Sequence, residues 1–286
     1  MNNEVTNFYD QYAQREWERL DADVYSRIMF MQHMDFVMEH IKPGMHVLDA
    51  GCGAGRYAIE FAKIGCNVTL FDISGEQLSI AQEKITERDL SGNISGYVQG
   101  DVRDLSVFAE STFDMVICYG APLSYVLDGR DAAVAEFYRV LKSGGVVAAS
   151  VNNKWGILRD LVGRQFQDFF NNPKYWYIHK VLDTGDLPKH EKIAQPARHF
   201  FHACELKELF AFGMFKELQL ATSPSIICGS RQQANQLCED EAAYSTILDI
   251  EMRAYRNEAL ADSGEFLLVK GKKGDFYDIC SIYRCG

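Results

Sequence analysis

Four things are missing from this chain, and each closes off a class of protein. No apolar run approaches the roughly 20 residues needed to cross a bilayer. Lysine and arginine form no stripe; Lys192 with Arg198, and Lys270 with Lys272 and Lys273, are too sparse to make one. The electrostatic footprint of a nucleic-acid binder is therefore not expected. The eight cysteines include no C-x-x-C pair, and Cys66 and Cys118 lie in apolar, strand-like surroundings suited to reduced core thiols. The stretch from Met1 to Arg15 is polar and mixed in charge, without the pattern of a signal peptide. These absences lead to the expectation of a cytoplasmic, reduced protein with no membrane or nucleic-acid partner. The net charge of −11 is read as a solubility feature.

What is present is a chain of 286 residues, 47% of them hydrophobic, able to bury a core without disulfides or metals. Residues 5–41 read as helical, with Trp17, Leu20, Val24, Ile28, Met31 and Met34 on one face. Lys42-Pro43-Gly44 ends that region. Strand and helix then alternate. Strands are expected at 46–50, 67–71, 94–99, 114–118 and 146–151. Helices are expected at about 55–64, 74–88 and 129–141, with a short one near 104–109. Gly65 suits a helix C-terminus, Ser74 with Gln77 suits a capping box, and Lys142-Ser143-Gly144-Gly145 stops the last helix. Short continuous apolar strands of this kind predict a parallel sheet covered on both faces.

The focus of the alternation is Val47-Leu48-Asp49-Ala50-Gly51-Cys52-Gly53-Ala54-Gly55. A strand here runs into a glycine turn and a helix start. Such a turn allows close backbone approach to a ligand, and its N–H groups with the helix N-terminus can take an anionic group such as a carboxylate. Asp72, Asp101 and Tyr119-Gly120 fall at the ends of the next strands, where ligands of such sheets bind. The glycine spacing alone tolerates a dinucleotide, since Gly53, Gly55 and Ala58 satisfy the looser G-x-G-x-x-G/A form. A carboxylate such as Asp72 can accept from both ribose hydroxyls in either case.

The combination resembles the class I S-adenosylmethionine-dependent methyltransferases. The acid-x-G-x-G-x-G turn, Asp72, Gly100-Asp101-Val102, Phe113-Asp114-Met115-Val116-Ile117 and Arg139-Val140-Leu141-Lys142-Ser143-Gly144-Gly145 occur in the family's order over about 42–151. The resemblance implies a doubly wound α/β fold with a mostly parallel seven-stranded sheet, the Rossmann-like methyltransferase fold. It implies S-adenosyl-L-methionine as cofactor and S-adenosyl-L-homocysteine as product. It also implies a cofactor site of Asp49, Ala50, Gly51, Cys52, Gly53, Gly55, Asp72, Ile73, Gln77, Asp101, Val102, Tyr119 and Gly120. The entry segment is similar to that of glycine N-methyltransferase-like enzymes, which adds Tyr12 over the sulfonium and Arg27 on the cofactor carboxylate. The alternatives are a nicotinamide-dependent oxidoreductase and a non-catalytic module that keeps the cofactor fold.

The acceptor is read as a small organic molecule. No [DN]-P-P-[FY] or Pro-Cys motif follows the fourth strand. Gly120-Ala121-Pro122-Leu123-Ser124 resembles the G-P-L-Y-H turn of small-molecule methyltransferases but lacks its histidine. Candidate catalytic residues are therefore His199, His202 and Tyr119, a histidine being able to take a proton or orient an acceptor. His199, His202 and Cys204 match no known zinc spacing, so no metal is expected. The domain reading is a helical cap at 1–41, a cofactor core at 42–151 and an aromatic lid at 152–202. Residues 203–274 complete the sheet and carry a helical insert, and 275–286 form a tail. Self-association into a homodimer is left open.

Overall fold

The structure is a computed structural model that describes residues 3–160, 177–189 and 195–274. Its centre is a seven-stranded sheet in the order β3-β2-β1-β4-β5-β9-β8. The strands are β1 (His46–Ala50), β2 (Asn67–Asp72), β3 (Ile94–Gln99), β4 (Phe113–Cys118), β5 (Leu141–Asn152), β8 (Phe215–Ser223) and β9 (Phe266–Lys273). Pairs from β3 to β5 are parallel, and β9 runs antiparallel to both β5 and β8. Val47, Leu48, Met115, Val116 and Ile117 are fully buried, which is why β1 and β4 read as unbroken apolar runs rather than alternating ones. Strand order reverses between β1 and β4, and a crevice forms at their carboxyl ends.

The crossovers are the helices α4 (Arg56–Ile64), α5 (Gly75–Thr86) and α7 (Arg130–Val140). Gly65 closes α4 in the left-handed region, its N–H donating to Ala62 and Phe61. Ser74 caps α5 by accepting from the Gln77 N–H. The expected capping box is only half made. The Gln77 amide turns away and donates to the carbonyls of Tyr9 (3.0 Å) and Ala13 (3.1 Å) instead.

Three expectations are corrected. No helix forms at 104–109, where turns run from Asp101 to Ser111; the Arg139 side chain holds them by donating to the carbonyls of Leu105 and Phe108. Helix α7 stops at Leu141, which is already extended and begins β5, so Lys142-Ser143-Gly144-Gly145 belongs to the strand. The N-terminal region is three helices, α1 (Asn3–Tyr12), α2 (Gln14–Arg19) and α3 (Val24–Met38). Ala13 breaks the first junction with a φ of 44°, and Asp23 caps α3 by accepting from the Ser26 N–H. The apolar face is therefore not continuous, and Met31 is exposed.

After β5 the chain forms a helical stretch at 154–160, then α8 (Tyr177–Thr184) and a small antiparallel pair, β6 (Asp186–Leu187) with β7 (Arg198–His199). The lid aromatics Phe166, Phe169, Phe170, Tyr175 and Trp176, the Tyr177 side chain and the tail 275–286 lie outside the described residues. Helices α9 (Ala203–Phe212), α10 (Arg231–Leu237) and α11 (Glu241–Ala254) complete the chain around β8 and β9. No helix among the described residues is long and apolar enough to cross a membrane.

One carboxylate fastens this far end to α3. Glu251 on α11 is fully buried. One of its oxygens accepts from the N–H groups of Ile226 and Ile227 (2.7 and 2.8 Å). The other accepts from Ser225 N–H and Oγ and from Gln32 Nε2. Five donors replace its hydration shell. Glu251→Gln keeps the shape but turns an N–H₂ toward backbone donors, so urea unfolding should show a loss of at least about 2 kcal/mol. A loss within error would show that the loop after β8 does not depend on this carboxylate.

Candidate functional site

The site grows from the turn after β1. Gly51, Gly53 and Gly55 take φ values of 81°, 50° and 78°, a region open to glycine at little cost. Gly51 is also pressed against the turn after β4, because a Cβ there would stand 2.3 Å from Pro122 Cγ. Gly100, after β3, is equally confined, with a Cβ meeting the Phe71 ring at 2.4 Å. The loop's N–H groups are largely spent inside the protein. Gly51 and Cys52 donate to the Phe71 carbonyl, and Gly55 donates to that of Cys52. Gly53 donates to Asp72 Oδ2 at 2.8 Å. This corrects the expectation that the turn's N–H groups receive a carboxylate.

A cavity of about 890 Å³, counting its open mouth, lies over this turn. Its floor is Gly51, Cys52, Gly53 and Ala54, with Asp72 and Ile73 after β2 and Gly100, Asp101, Val102 and Arg103 after β3. Tyr119, Gly120, Pro122, Tyr125 and Val126 follow β4 and enter the short helix α6 (Pro122–Tyr125). Val5 and Tyr9 of α1, Glu16 and Arg19 of α2, and Leu20 form the roof, with Arg56 and Tyr57 of α4 completing the wall. Glu16 and Arg19 make a two-pronged ion pair, Nη2 to Oε1 at 2.5 Å and Nε to Oε2 at 3.0 Å. Arg56 packs on the Trp17 ring at 4.6 Å and pairs with Asp21, which pins α2 to α4.

The carboxylates around the turn differ by environment. Asp72 accepts from the N–H groups of Gly53 and Ser74, yet burial still pushes its carboxyl up to about 6. Asp101 is held below the ordinary range, burial being outweighed by hydrogen bonds from Arg103. Asp49 lies one layer beneath the cavity floor. It is almost fully buried and its Oδ2 has no hydrogen-bond partner among the described residues. Burial first, and then the charge of Asp72, push its carboxyl up to about 7.

Of the residues singled out from the sequence, Gly51, Cys52, Gly53, Asp72, Ile73, Asp101, Val102, Tyr119 and Gly120 line the cavity. Asp49, Ala50, Gly55 and Gln77 do not; they shape it from behind. Gly55 fits only because a Cβ would meet Ala81 at 2.9 Å. Tyr12 and Arg27 are not brought to the site. Tyr12 stacks on Phe8 outside the cavity, and Arg27 is exposed on α3, because the helix break at Ala13 turns Tyr9 and Arg19 inward in their place.

The two histidines are likewise elsewhere. His199 is buried, with Nδ1 at 2.7 Å from Asp186 and Nε2 at 2.8 Å from Glu205, so neither nitrogen is available to a ligand. His202 caps α9, its Nδ1 meeting the Glu205 N–H and the Cys204 thiol. Neither lines the cavity. Tyr119 does; its ring stands edge-on to His33 and Tyr57, and its buried hydroxyl has no partner among the described residues.

Sequence reading missed Glu16, Arg19, Tyr9 and Tyr125. The only available signal was the i, i+3 acid–base spacing on α2, which usually marks a solvated face.

A carboxyl held above its ordinary range contributes stability that is present at low pH and lost as pH rises through its folded-state value. For Asp49 that window runs from about 4 to about 7. His33, buried and lowered to about 4, acts oppositely, its contribution being lost as pH falls below its ordinary range, so the comparison is made against a variant. Asp49→Asn should gain on the wild type by on the order of 2–4 kcal/mol between pH 5 and pH 8 in urea unfolding without ligand. Parallel profiles would show that Asp49 ionises without penalty.

The comparisons with known proteins agree on one family. Residues 47–145 match the model of a methyltransferase domain. The chain is 39% identical over 183 residues to the ubiquinone/menaquinone biosynthesis C-methyltransferase UbiE of Shewanella piezotolerans, covering 62% of this chain and 68% of that one. It is 30% identical over 169 residues to malonyl-[acyl-carrier protein] O-methyltransferase of Pectobacterium atrosepticum, spanning 59% of each. Among solved structures it superposes on an S-adenosylmethionine-dependent methyltransferase of Thermotoga maritima, described as a possible histamine N-methyltransferase. That match has a TM-score of 0.58 at 17% identity and covers 94% of this chain and 99% of that one, a likeness of fold alone. With its β3-β2-β1-β4-β5-β9-β8 sheet and its glycine turn under an acid-flanked cavity, the chain belongs to the class I S-adenosylmethionine-dependent methyltransferases.

Proposed function

We propose that this chain transfers a methyl group from S-adenosylmethionine to a nucleophilic atom of a small organic acceptor in the cytoplasm. The observation that carries the reading is the distribution of charge along the cavity. The Glu16–Arg19 pair at the roof suits the ammonium and carboxylate of an amino acid. Asp72, at the other side of the glycine turn, offers a carboxylate to a ribose diol. Gly100 and Val102 give a flat, partly apolar edge for a base. A dinucleotide fits less well. Its pyrophosphate would meet Glu16 and a turn whose N–H groups at Gly51, Cys52, Gly53 and Gly55 are already engaged. The six cysteines among the described residues are all free, which supports a reducing compartment.

When bound, the cofactor supplies an electrophilic methyl on a cationic sulfur. The protein's part is orientation and exclusion of water. Helices α1 and α2 roof the cavity, held by Gln77 on the backbone at Tyr9 and Ala13. The ring of Tyr119 offers an electron-rich surface to a cation. Among the described residues no wall carboxylate is free to serve as a base, since Glu16 pairs with Arg19, Asp72 takes backbone N–H groups and Asp101 takes Arg103. The acceptor therefore arrives with its lone pair available.

Isothermal titration should find tight binding of S-adenosylhomocysteine and none of NAD; binding of NAD alone would overturn the reading. Asp72→Asn and Arg19→Ala should each weaken S-adenosylhomocysteine by roughly 1.5–3 kcal/mol, the range for hydrogen bonds to charged groups. His199→Ala should leave that affinity unchanged and lower the melting temperature, because its two carboxylate partners are left behind.

A further inference from the structure

Beyond the cofactor half, the cavity wall ends in two tyrosines backed by a half-buried cation. Tyr9 of α1 and Tyr125 of α6 meet edge to face, with ring centroids 5.8 Å apart at 88°. Behind them, Arg198 on β7 donates from Nη1 to the Tyr125 hydroxyl at 3.2 Å. The guanidinium packs over Phe200 at 5.1 Å. Its Nε is buried without a hydrogen-bond partner, and among the described residues no carboxylate pairs with it. Among the described residues, then, the positive charge of this half-buried side chain is not cancelled by a carboxylate. The described hydrogen bond from its side chain goes to a phenol on the cavity wall. A phenol that accepts from a guanidinium is a stronger donor through its own O–H, so the charge of Arg198 is felt in the cavity through the Tyr125 hydroxyl.

We propose that Tyr125, polarised by Arg198 and flanked by Tyr9, seats an oxyanion of the acceptor, so that the substrates of this methyltransferase are carboxylates, phenolates or enolates rather than amines. The inference rests on the methyl-transfer reading above and adds the class of acceptor. It also accounts for a wall with no free base. The anionic acceptor's oxygen, or the carbon conjugated to it, uses its electron pair to form the bond to the methyl carbon. The carbon–sulfur bond breaks with its pair left on sulfur, and anion plus sulfonium become a neutral methylated product and a neutral thioether. An oxygen nucleophile then has no proton to lose in this step. For a phenol the seat lowers the acceptor's own pKa, so the proton leaves to water before transfer. Arg198 acts here as a positioning residue.

The test uses the full chain saturated with S-adenosylhomocysteine and two probes. The ionisation of bound 4-nitrophenol is followed by its absorbance, and the affinity of benzoate is compared with that of benzamide. The expected results are a 4-nitrophenol pKa lowered by about one unit or more and benzoate bound about tenfold or more tighter than benzamide. Both effects should disappear in Arg198→Met and Tyr125→Phe and be largely restored in Arg198→Lys, with S-adenosylhomocysteine affinity unaltered throughout. An unshifted or raised 4-nitrophenol pKa, failure of either anion to bind, or both effects surviving in Tyr125→Phe would overturn the oxyanion seat. Should Arg198→Met fail to fold, Tyr125→Phe and Arg198→Lys decide. Failure of the wild type to bind S-adenosylhomocysteine would instead overturn the cofactor reading, and turnover of amines alone would leave methyl transfer standing while removing this proposal.

Discussion

The carboxylate of Asp72 is the clasp on which the site depends. One oxygen takes the N–H of Gly53 and the other that of Ser74, so the tip of β2 holds both the glycine turn and the start of α5. This clasp fixes where β1 and β2 end relative to each other, and with them the cavity floor. It also consumes an N–H that an anion would otherwise use. The turn is therefore preorganised as a surface, and recognition of charge passes to side chains on other elements.

That division explains what could be read from the sequence. The sheet strands, the glycine turn, Asp72 and Asp101 were legible because their geometry is set by neighbours in sequence: apolar runs, positive-φ positions and an acid at a strand end. The roof was not. Whether Tyr9 or Tyr12 faces the cavity depends on Ala13 adopting a φ of 44°, a conformation that nothing about an alanine announces. The Gln77 amide that holds the junction comes from 64 residues away. The same break places Arg19 rather than Arg27 at the site. His199 misled for a related reason. A histidine among aromatics carries no mark of its partners, and the two carboxylates that occupy its nitrogens, Asp186 and Glu205, lie 13 and 6 residues away on other elements.

The buried acids divide in the same manner. Glu251 is fully enclosed and satisfied by five donors, and it fastens α11 to α3 far from the cavity. Asp49 is as deeply enclosed but keeps one oxygen without a partner among the described residues, beneath the turn. The difference is one of role. A carboxylate that only holds structure gathers every donor it can use. One left short, next to Asp72 and under a site suited to a cationic ligand, ionises at a cost that a positive charge above the cavity floor would relieve. Such a floor favours a sulfonium or an ammonium over a phosphate before any roof residue acts.

The two ends of the cavity are thus built from different parts of the chain. The cofactor end draws on β1, β2 and β3 and on the pair in α2, and it lies within or beside the segment shared with the methyltransferase relatives. The other end draws on α1, α6 and β7, three elements whose local sequences are shaped by unrelated needs. Tyr125 belongs to a helix set up by two successive positive-φ residues, Gly120 and Ala121. Arg198 sits on a two-residue strand whose partner residue, His199, is committed to Asp186 and Glu205. A substitution at Tyr9, Tyr125 or Arg198 can change what is seated there without moving Asp72 or the turn. This is the physical reason that similarity to methyltransferases acting on different acceptors identifies the donor and not the acceptor: the donor floor is carried by three successive strands of the sheet, whereas the acceptor site exists only where three distant segments meet.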